Sequence, residues 1–290
     1  MSRIDEALKR TKAEISPDTP ASSQVFKAAW TVTGAEDRPS TGTRLEHAPV
    51  VLGPAEGAVP SIGMVRFSSQ WRERLAAGPG SDVGLTEQFR RLAATLHHAH
   101  QANGLHDVML TSASPGEGKT LTAVNLALVL AESYRYRVLL VDADLRRPSI
   151  PNVTDLGEGC GLSEALTATT EQKLALVPIT ARLTLLPAGR AIANSIEALT
   201  SPRMRQILDE AATRFDWVIL DAPPVGPTTD ARLLAQMVGG TLFVIHAGQT
   251  QHPDVQKAID AIGREQILGV VLNGVEDSGV ESYDYGAARD

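Results

Sequence analysis

Residues 110–120 constrain this chain more than any other stretch. They read LTSASPGEGKT and join one apolar run to a second apolar run that begins at Leu121. A loop of small residues and glycines in this place lets backbone N–H groups surround an anion, and a following helix adds the positive end of its dipole. The stretch therefore predicts a phosphate-binding loop between a buried strand and a helix.

The residues of this loop have expected roles. Lys119 is expected to reach the β- and γ-phosphates of a nucleotide, and the Thr120 hydroxyl is expected to bind Mg²⁺. The first position of the usual pattern G-x-x-x-x-G-K-[ST] carries Ala113 instead of glycine. The strand before the loop and the GKT at its end still favour a nucleotide loop over a plain glycine-rich turn. The residues predicted to contact the nucleotide here are Ser114, Pro115, Gly116, Glu117, Gly118, Lys119, Thr120 and Leu121.

Two further motifs place carboxylates directly after apolar strands. Asp142 and Asp144 follow the run RVLLV, and Asp221 follows the run WVIL. Carboxylate oxygens suit Mg²⁺, and a carboxylate beside a transferred phosphate can accept a proton from an incoming hydroxyl. Arg146 or Arg147 would offset phosphate charge. The predicted metal ligands are Thr120, Asp142 and Asp221.

The C-terminal part of the chain holds further candidates. Asn273 closes the apolar run ILGVVLN, where its amide would read the edge of an adenine base; the alternative is a turn-forming asparagine before Gly274. Tyr283 and Tyr285 lie in the polar tail ESYDYGAARD. An exposed tyrosine beside an acidic residue suits phosphorylation, whereas the alternative is an ordinary frayed terminus.

The order of the apolar runs predicts the fold class. From Asp82 onward, strand-like runs alternate with helix-like runs, which indicates an α/β fold with a mostly parallel open sheet and helices on both faces. Ligands of such sheets bind at the carboxyl ends of the strands, where the motifs above lie. The predicted divisions are a short helix over 1–15, a disordered linker over 16–80, a globular domain over 81–276 and a flexible tail over 277–290.

Composition narrows the class of protein. The net charge is −7, so nucleic acid is not an expected partner. Cys160 is the single cysteine, which excludes an intramolecular disulfide and fits a reducing compartment. No apolar run approaches the ~20 residues that cross a bilayer, and the N-terminus lacks the apolar core of a signal peptide. We expect a cytoplasmic protein that reaches the inner face of the plasma membrane through a partner.

Together these motifs resemble those of the bacterial tyrosine kinases (BY-kinases) of capsule and exopolysaccharide synthesis, over about residues 82–285. The matching segments are PGEGKT, D-x-D-x-R, DAPPV, GLSEAL at 161–166, LPAG at 186–189 and ILGVVLN before a tyrosine-bearing tail. The resemblance implies a P-loop NTPase-type fold and transfer of the γ-phosphoryl group of MgATP to Tyr283 and Tyr285. It implies that Asp142 is the base toward the tyrosine hydroxyl, supported by Asp144. The catalytic residues carried over are Lys119, Asp142, Asp144 and Arg146.

The resemblance also implies partners. These are a separate membrane-bound activator of polysaccharide export, neighbouring copies of the chain in a homo-oligomeric ring, and a cognate tyrosine phosphatase. The family's ring-forming helix motif, E-x-x-R-x-x-R, is matched at Glu87 and Arg90 but has Ala93 at its last position. Two other functions stay open. One is a partition- or septum-placement-type ATPase, which Ser114 in place of the expected lysine disfavours; the other is a nucleotide-bound scaffold of a polysaccharide export complex.

Overall fold

The computed structural model describes residues 25–29, 67, 69–78, 81–150, 161–168, 174, 176–226 and 228–275. Strands and helices alternate in this part of the chain, as the sequence predicts. The strands are β1 (Val25–Ala29), β2 (Asp107–Ser112), β3 (Val138–Asp142), β4 (Val177–Pro178), β5 (Leu183–Leu186), β6 (Trp217–Asp221), β7 (Thr241–His246) and β8 (Ile267–Val275). The helices are α1 (Ser69–Arg72), α2 (Val83–Asn103), α3 (Lys119–Glu132), α4 (Leu162–Thr167), α5 (Ser195–Leu199), α6 (Pro202–Arg214), α7 (Asp230–Ala235) and α8 (His252–Ile262), with a 3₁₀ turn at Arg264–Gln266.

The described strands form one open sheet in the order β1-β8-β7-β2-β6-β3-β5-β4. Every pairing from β8 across to β5 is parallel, and only the edge strands β1 and β4 pair antiparallel. The predicted mostly parallel sheet is therefore confirmed. Because parallel strands point the same way, the carboxyl ends of β2, β3 and β6 lie side by side at one edge of the sheet.

Helices cover both faces of the sheet, which confirms the predicted layers. Side chains alternate between the two faces along each strand. In β2, Leu110 joins a core cluster with residues of α2 and α3, whereas Met109 joins a second cluster with residues of α6, α7 and α8. The β3 and β6 strands are buried along their whole length. Burial on both faces explains why their sequences read as continuous apolar runs.

Local signals set the ends of the longer helices. Asp82 caps α2, because its side chain accepts a hydrogen bond from the Leu85 N–H at 2.6 Å. The helix ends at Gly104, which has a φ of +67°. Ser201 caps α6, with Pro202 in the first turn. None of the helices in the described part of the chain is long and apolar enough to cross a membrane.

Two pieces of the stretch predicted as a linker are structured. The β1 strand pairs with β8, and α1 leads into Leu75 and Ala76, which are buried. The Ala76 N–H donates to Asn125 Oδ1 of α3 at 2.7 Å, and the Asn125 amide donates to the Arg74 carbonyl at 2.9 Å. The packed domain therefore begins before residue 81, because a short apolar piece can be ordered by a helix that is distant in sequence. The predicted helix over 1–15, the tail over 277–290 and Cys160 lie outside the described residues.

Candidate active site

The loop after β2 leads directly into the first turn of α3. Gly116 and Gly118 have φ values of +85° and +91°, in the left-handed region that glycine adopts without strain. The helix begins at Lys119, two residues earlier than the sequence predicts, and has Gly118 as its N-cap. Since glycine has no side chain to cap a helix, the first N–H groups of α3 are left for another acceptor. This arrangement suits an anion such as a phosphate.

Glu117 ties this loop to the neighbouring strands. Its side chain is almost fully buried; Oε2 accepts a hydrogen bond from the Ser114 N–H at 3.1 Å, and Oε1 accepts one from Thr250 Oγ1 at 2.5 Å. Its carbonyl oxygen accepts a hydrogen bond from Asn273 Nδ2 at 2.9 Å. Thr250 follows β7 and Asn273 lies in β8, so the phosphate loop is fixed to two strands.

Asn273, predicted to read adenine, packs against the phosphate loop. A Cβ atom on Gly118 would clash with the Asn273 amide, so only glycine fits at that position. Asn273 Oδ1 is buried and has no hydrogen-bond partner in the part of the chain that the structure describes. Such an acceptor would suit an amino group like that of adenine, because a buried polar atom left unpaired is costly. Adenine reading by Asn273 stays a prediction.

The predicted carboxylates meet the predicted lysine. Asp142 and Asp221 are register partners at the ends of β3 and β6, and both are fully buried. Lys119 Nζ lies 3.7 Å from Asp144 Oδ2 and 3.8 Å from Asp221 Oδ1. The structure thus brings together residues from three separate sequence motifs at one edge of the sheet.

Ser149 also belongs to this cluster, although no pattern in the sequence indicates it. Its Oγ lies 2.8 Å from Thr120 Oγ1 and donates to Asp221 Oδ2 at 3.2 Å. The N–H groups of Ser149 and Ile150 both donate to Asp142 Oδ2, at 3.2 and 3.1 Å. The loop after β3 therefore folds back over the strand end, and this return has no periodic signal in the sequence.

Burial shifts the two central carboxylates toward their neutral forms. Desolvation raises the pKa of Asp142 to about 8, the charge of Asp221 adds to this rise, and backbone N–H donors led by Ile150 oppose it. Desolvation also raises the pKa of Asp221, against the lowering effect of the Lys119 charge. Two carboxylates in this environment favour the arrival of a further cation.

The donor set fits Mg²⁺. The cluster offers the Thr120 hydroxyl and the carboxylates of Asp142 and Asp221, which are hard oxygen ligands. Asp221 Oδ1 is buried with no hydrogen-bond partner among the described residues, its nearest cation being Lys119. The described residues contain no group of three or more His, Cys, Asp or Glu side chains that could hold a metal ion alone. That pattern suits Mg²⁺, which is usually bound through one or two carboxylates together with substrate phosphates.

Arg146, predicted as catalytic, is paired with a different carboxylate. Its Nε donates to Asp230 Oδ2 at 2.9 Å and its Nη2 donates to Asp230 Oδ1 at 3.4 Å. Asp230 begins α7, is almost fully buried and also accepts a hydrogen bond from Ser195 Oγ at 2.6 Å. The structure therefore pairs the Arg146 guanidinium with Asp230 at the start of α7, and a catalytic role of Arg146 stays a prediction. Tyr283 and Tyr285 lie outside the described residues.

The other segments quoted for the resemblance contact each other. The Leu162 N–H donates to the Pro187 carbonyl at 2.9 Å, and the Ser163 N–H donates to the Ala188 carbonyl at 2.8 Å. Glu164 accepts hydrogen bonds from the Gly161 N–H and the Arg190 N–H. The GLSEAL and LPAG segments thus form one supporting structure beside the sheet.

Known proteins are similar to this chain in sequence, and a solved structure is similar to it in fold. The family model described as "ParA: NUBPL iron-transfer P-loop NTPase" matches residues 104–276. Tyrosine-protein kinase YwqD of Bacillus subtilis (strain 168) is 34% identical over 208 residues, covering 71% of this chain and 87% of YwqD. The kinase domain of Escherichia coli tyrosine kinase ETK has a TM-score of 0.63 and 32% identity, covering 70% of this chain and 81% of that domain. Succinoglycan biosynthesis transport protein ExoP of Rhizobium meliloti (strain 1021) is 32% identical over 61% of this chain and 23% of its own length.

The fold and the loop at the end of β2 define a P-loop NTPase of the ParA type, a class that binds nucleotides such as ATP. Within this class, the chain belongs to the bacterial tyrosine-protein kinases. The resemblance and the prediction of a kinase are thereby confirmed. The chain spans most of YwqD but less than a quarter of ExoP, a relative named for polysaccharide biosynthesis and transport.

Proposed function

We propose that this kinase transfers the γ-phosphoryl group of MgATP to tyrosines of its own tail, Tyr283 and Tyr285. Through this transfer it regulates the synthesis and export of an exopolysaccharide or capsule. The observation that supports the proposal is the convergence of Lys119, Thr120 and the Asp142–Asp221 pair beside the phosphate loop. Phosphoryl transfer depends mainly on positioning and charge neutralisation, and this cluster supplies both.

Lys119 has to exchange partners when a nucleotide binds. Its two carboxylate contacts, at 3.7 and 3.8 Å, are longer than good charged hydrogen bonds. Phosphate oxygens held by the loop N–H groups would offer the ammonium shorter contacts. Mg²⁺, held by Thr120 and Asp221, would supply further positive charge to the phosphate oxygens. We therefore assign Lys119 to the phosphates and leave Asp144 beside the incoming tyrosine.

Asp142 is the proposed base. Burial raises the pKa of Asp142, which makes its carboxylate a stronger proton acceptor than that of an exposed aspartate. Its Oδ2 accepts two backbone N–H groups, whereas its Oδ1 accepts a single 3.3 Å hydrogen bond from the Asp144 N–H. The Oδ1 atom thus retains a lone pair for the tyrosine hydroxyl.

The tail tyrosines are better acceptors than the other two tyrosines of the chain. The Tyr136 hydroxyl lies 2.6 Å from His97 Nδ1, and the Tyr134 hydroxyl donates to the Arg90 carbonyl at 3.3 Å. Both residues directly precede β3, so they lie at the opposite edge of the sheet from the phosphate loop. Their hydroxyls are already bound, and they are distant from the site of transfer.

Phosphopeptide mapping after incubation with MgATP tests this function. Phosphate should appear on Tyr283 or Tyr285 in the wild-type protein, with a membrane activator fragment added if the protein alone is silent. Lys119→Met should abolish this label, because it removes a charge that stabilises the transferring group. Tyr283→Phe with Tyr285→Phe should remove most of the phosphate without weakening ATP binding, and Tyr134→Phe serves as the matched control.

Three results would contradict the proposal in different ways. Unchanged labelling of Lys119→Met would refute the site assignment. Label that persists on Tyr134 or Tyr136 in the tail variant would refute the choice of acceptor. ATP turnover without phosphotyrosine, even with the activator, would favour the nucleotide-bound scaffold.

The proposed partners follow from this role. A separate membrane-bound activator would recruit the cytoplasmic kinase to the inner face of the plasma membrane, and a tyrosine phosphatase would reverse the modification. Glu87 and Arg90 are exposed on α2, whereas Ala93 is fully buried beneath that helix. A homo-oligomeric contact through α2 would therefore use Glu87 and Arg90, with the exposed Arg91 paired to Glu87 at 3.5 Å.

A further inference from the structure

We propose that Ser149 is a positioning residue of the metal site, on the assumption that the proposed MgATP chemistry holds. Its hydroxyl accepts the proton of the Thr120 hydroxyl and donates its own proton to Asp221. This relay turns the lone pairs of Thr120 Oγ1 toward the place where a cation would bind. Ser149 thereby acts on the metal through Thr120.

The direction of the relay follows from the number of protons. A hydroxyl has one proton to donate, and an ionised carboxylate only accepts. Ser149 Oγ donates its proton to Asp221 Oδ2 at 3.2 Å. When Asp221 is ionised and holds the Ser149 proton, Thr120 is the donor in the 2.8 Å contact between Ser149 Oγ and Thr120 Oγ1. With its proton directed to Ser149, Thr120 offers its lone pairs to a ligand and to Lys119, whose Nζ donates to Thr120 Oγ1 at 3.5 Å.

The backbone holds Ser149 in place for this task. The Ser149 N–H and the Ile150 N–H both donate to Asp142 Oδ2 at the end of β3. The Ile150 side chain is buried in the core cluster that also contains α3, the helix that carries Thr120. Ser149 is thus fixed from both sides to the elements that supply the other oxygens of the site.

Calorimetric titration with ADP at a series of Mg²⁺ concentrations tests the inference without relying on activity. Ser149→Ala should reduce the gain in ADP affinity that Mg²⁺ gives by about tenfold, the size of a lost hydrogen bond to a charged group. Its ADP affinity in EDTA should equal that of the wild type. Ser149→Thr keeps the hydroxyl and should restore the Mg²⁺ dependence.

Ser195→Ala is the matched control, because Ser195 also donates to a buried carboxylate but has no contact with Thr120. It should leave the Mg²⁺ dependence unchanged. An unchanged Mg²⁺ dependence in Ser149→Ala overturns the inference. So does tighter Mg²⁺ binding, which would make Ser149 a competitor of the cation. Weaker ADP binding in EDTA also overturns it, because Ser149 would then act on the phosphates.

This experiment separates the inference from the proposed function. A wild-type protein whose ADP affinity does not respond to Mg²⁺ overturns the inference whatever its phosphotyrosine content. Missing phosphotyrosine together with the expected Mg²⁺ response of Ser149→Ala contradicts only the autokinase proposal.

Discussion

Two buried carboxylates of this kinase each accept a hydrogen bond from a serine hydroxyl, but they differ in how closely a cation is paired with them. Asp230 at the start of α7 accepts Ser195 Oγ at 2.6 Å and two hydrogen bonds from Arg146. Asp221 at the end of β6 accepts Ser149 Oγ at 3.2 Å and has Lys119 only at 3.8 Å. One carboxylate is fully paired, and the other keeps a buried oxygen with no hydrogen bond among the described residues.

This difference in pairing distinguishes a carboxylate that joins structural elements from a carboxylate that faces the phosphate loop. A buried charge without a close partner is unfavourable, so a fully paired carboxylate such as Asp230 makes the fold depend on its partners staying in place. An incompletely paired one indicates a group that awaits a ligand, because its environment is completed only when the ligand binds. Asp230 joins the loop after β3 to α5 and α7, whereas Asp221 faces the phosphate loop.

Among the substitutions compared, Asp221→Asn should have the largest effect. It should reduce kinase activity without reducing thermal stability. We expect phosphotyrosine formation to fall about a thousandfold, because a pre-positioned charge of the transfer site is lost. Thermal stability at pH 7 should stay equal or rise, since burial raises the Asp221 pKa and the folded state therefore disfavours its charge. Rates of autophosphorylation and thermal denaturation measure the two effects. A large loss of stability would place Asp221 with Asp230 as a structural group.

The sequence was sufficient to predict the fold and the centre of the site. The alternation of runs predicts the sheet, and Asp142 and Asp221 are recognisable because a carboxylate directly after a buried parallel strand must lie at the ligand edge. Lys119 and Thr120 follow from the loop pattern. These inferences use only neighbours in sequence and the geometry of the sheet.

The remaining features depend on contacts between loop residues and residues that are distant in sequence. Local sequence patterns do not determine such contacts. Ser149 reaches Asp221 across 72 positions, and Arg146 reaches Asp230 across 84. The spacing of D-x-D-x-R shows that a cation is near the site, but not which carboxylate it contacts. The residues after α1 likewise pack on α3 through Asn125, which is distant from them in sequence.

Arg146→Gln should lower stability, whereas Asp221→Asn should lower activity. It leaves the Asp230 charge buried without its cation, so we expect the free energy of unfolding to fall by about 3 kcal/mol. Urea denaturation measures this loss. Asp230→Asn together with Arg146→Gln should recover part of it, because both charges are then removed. A protein of unchanged stability with no phosphotyrosine would instead support the catalytic role that the sequence predicts for Arg146.

An exposed ion pair extends the comparison to a carboxylate that contributes little to stability. Asp216 precedes β6 and bonds the Arg137 guanidinium at 2.7 Å on the edge of the sheet away from the phosphate loop. The hydrogen bond from Arg137 lowers the Asp216 pKa, with burial opposing and the nearby His100 assisting. Because both side chains are in contact with solvent, Asp216→Asn should lower the melting temperature by only roughly 2 °C at pH 7.

The pH dependence of that small effect has a definite sign. A carboxylate whose pKa is lowered on folding stabilises the protein fully above its unfolded pKa of about 3.9. The contribution is lost as the pH falls through the lower value of the folded state. The difference in melting temperature between the wild type and Asp216→Asn should therefore shrink toward zero below about pH 4, with Asp209→Asn on the exposed side of α6 as the control for one lost charge. A difference that does not shrink as the pH falls would mean that Asp216 contributes through the hydrogen bond that its side chain accepts from the Arg137 N–H, and not through its charge.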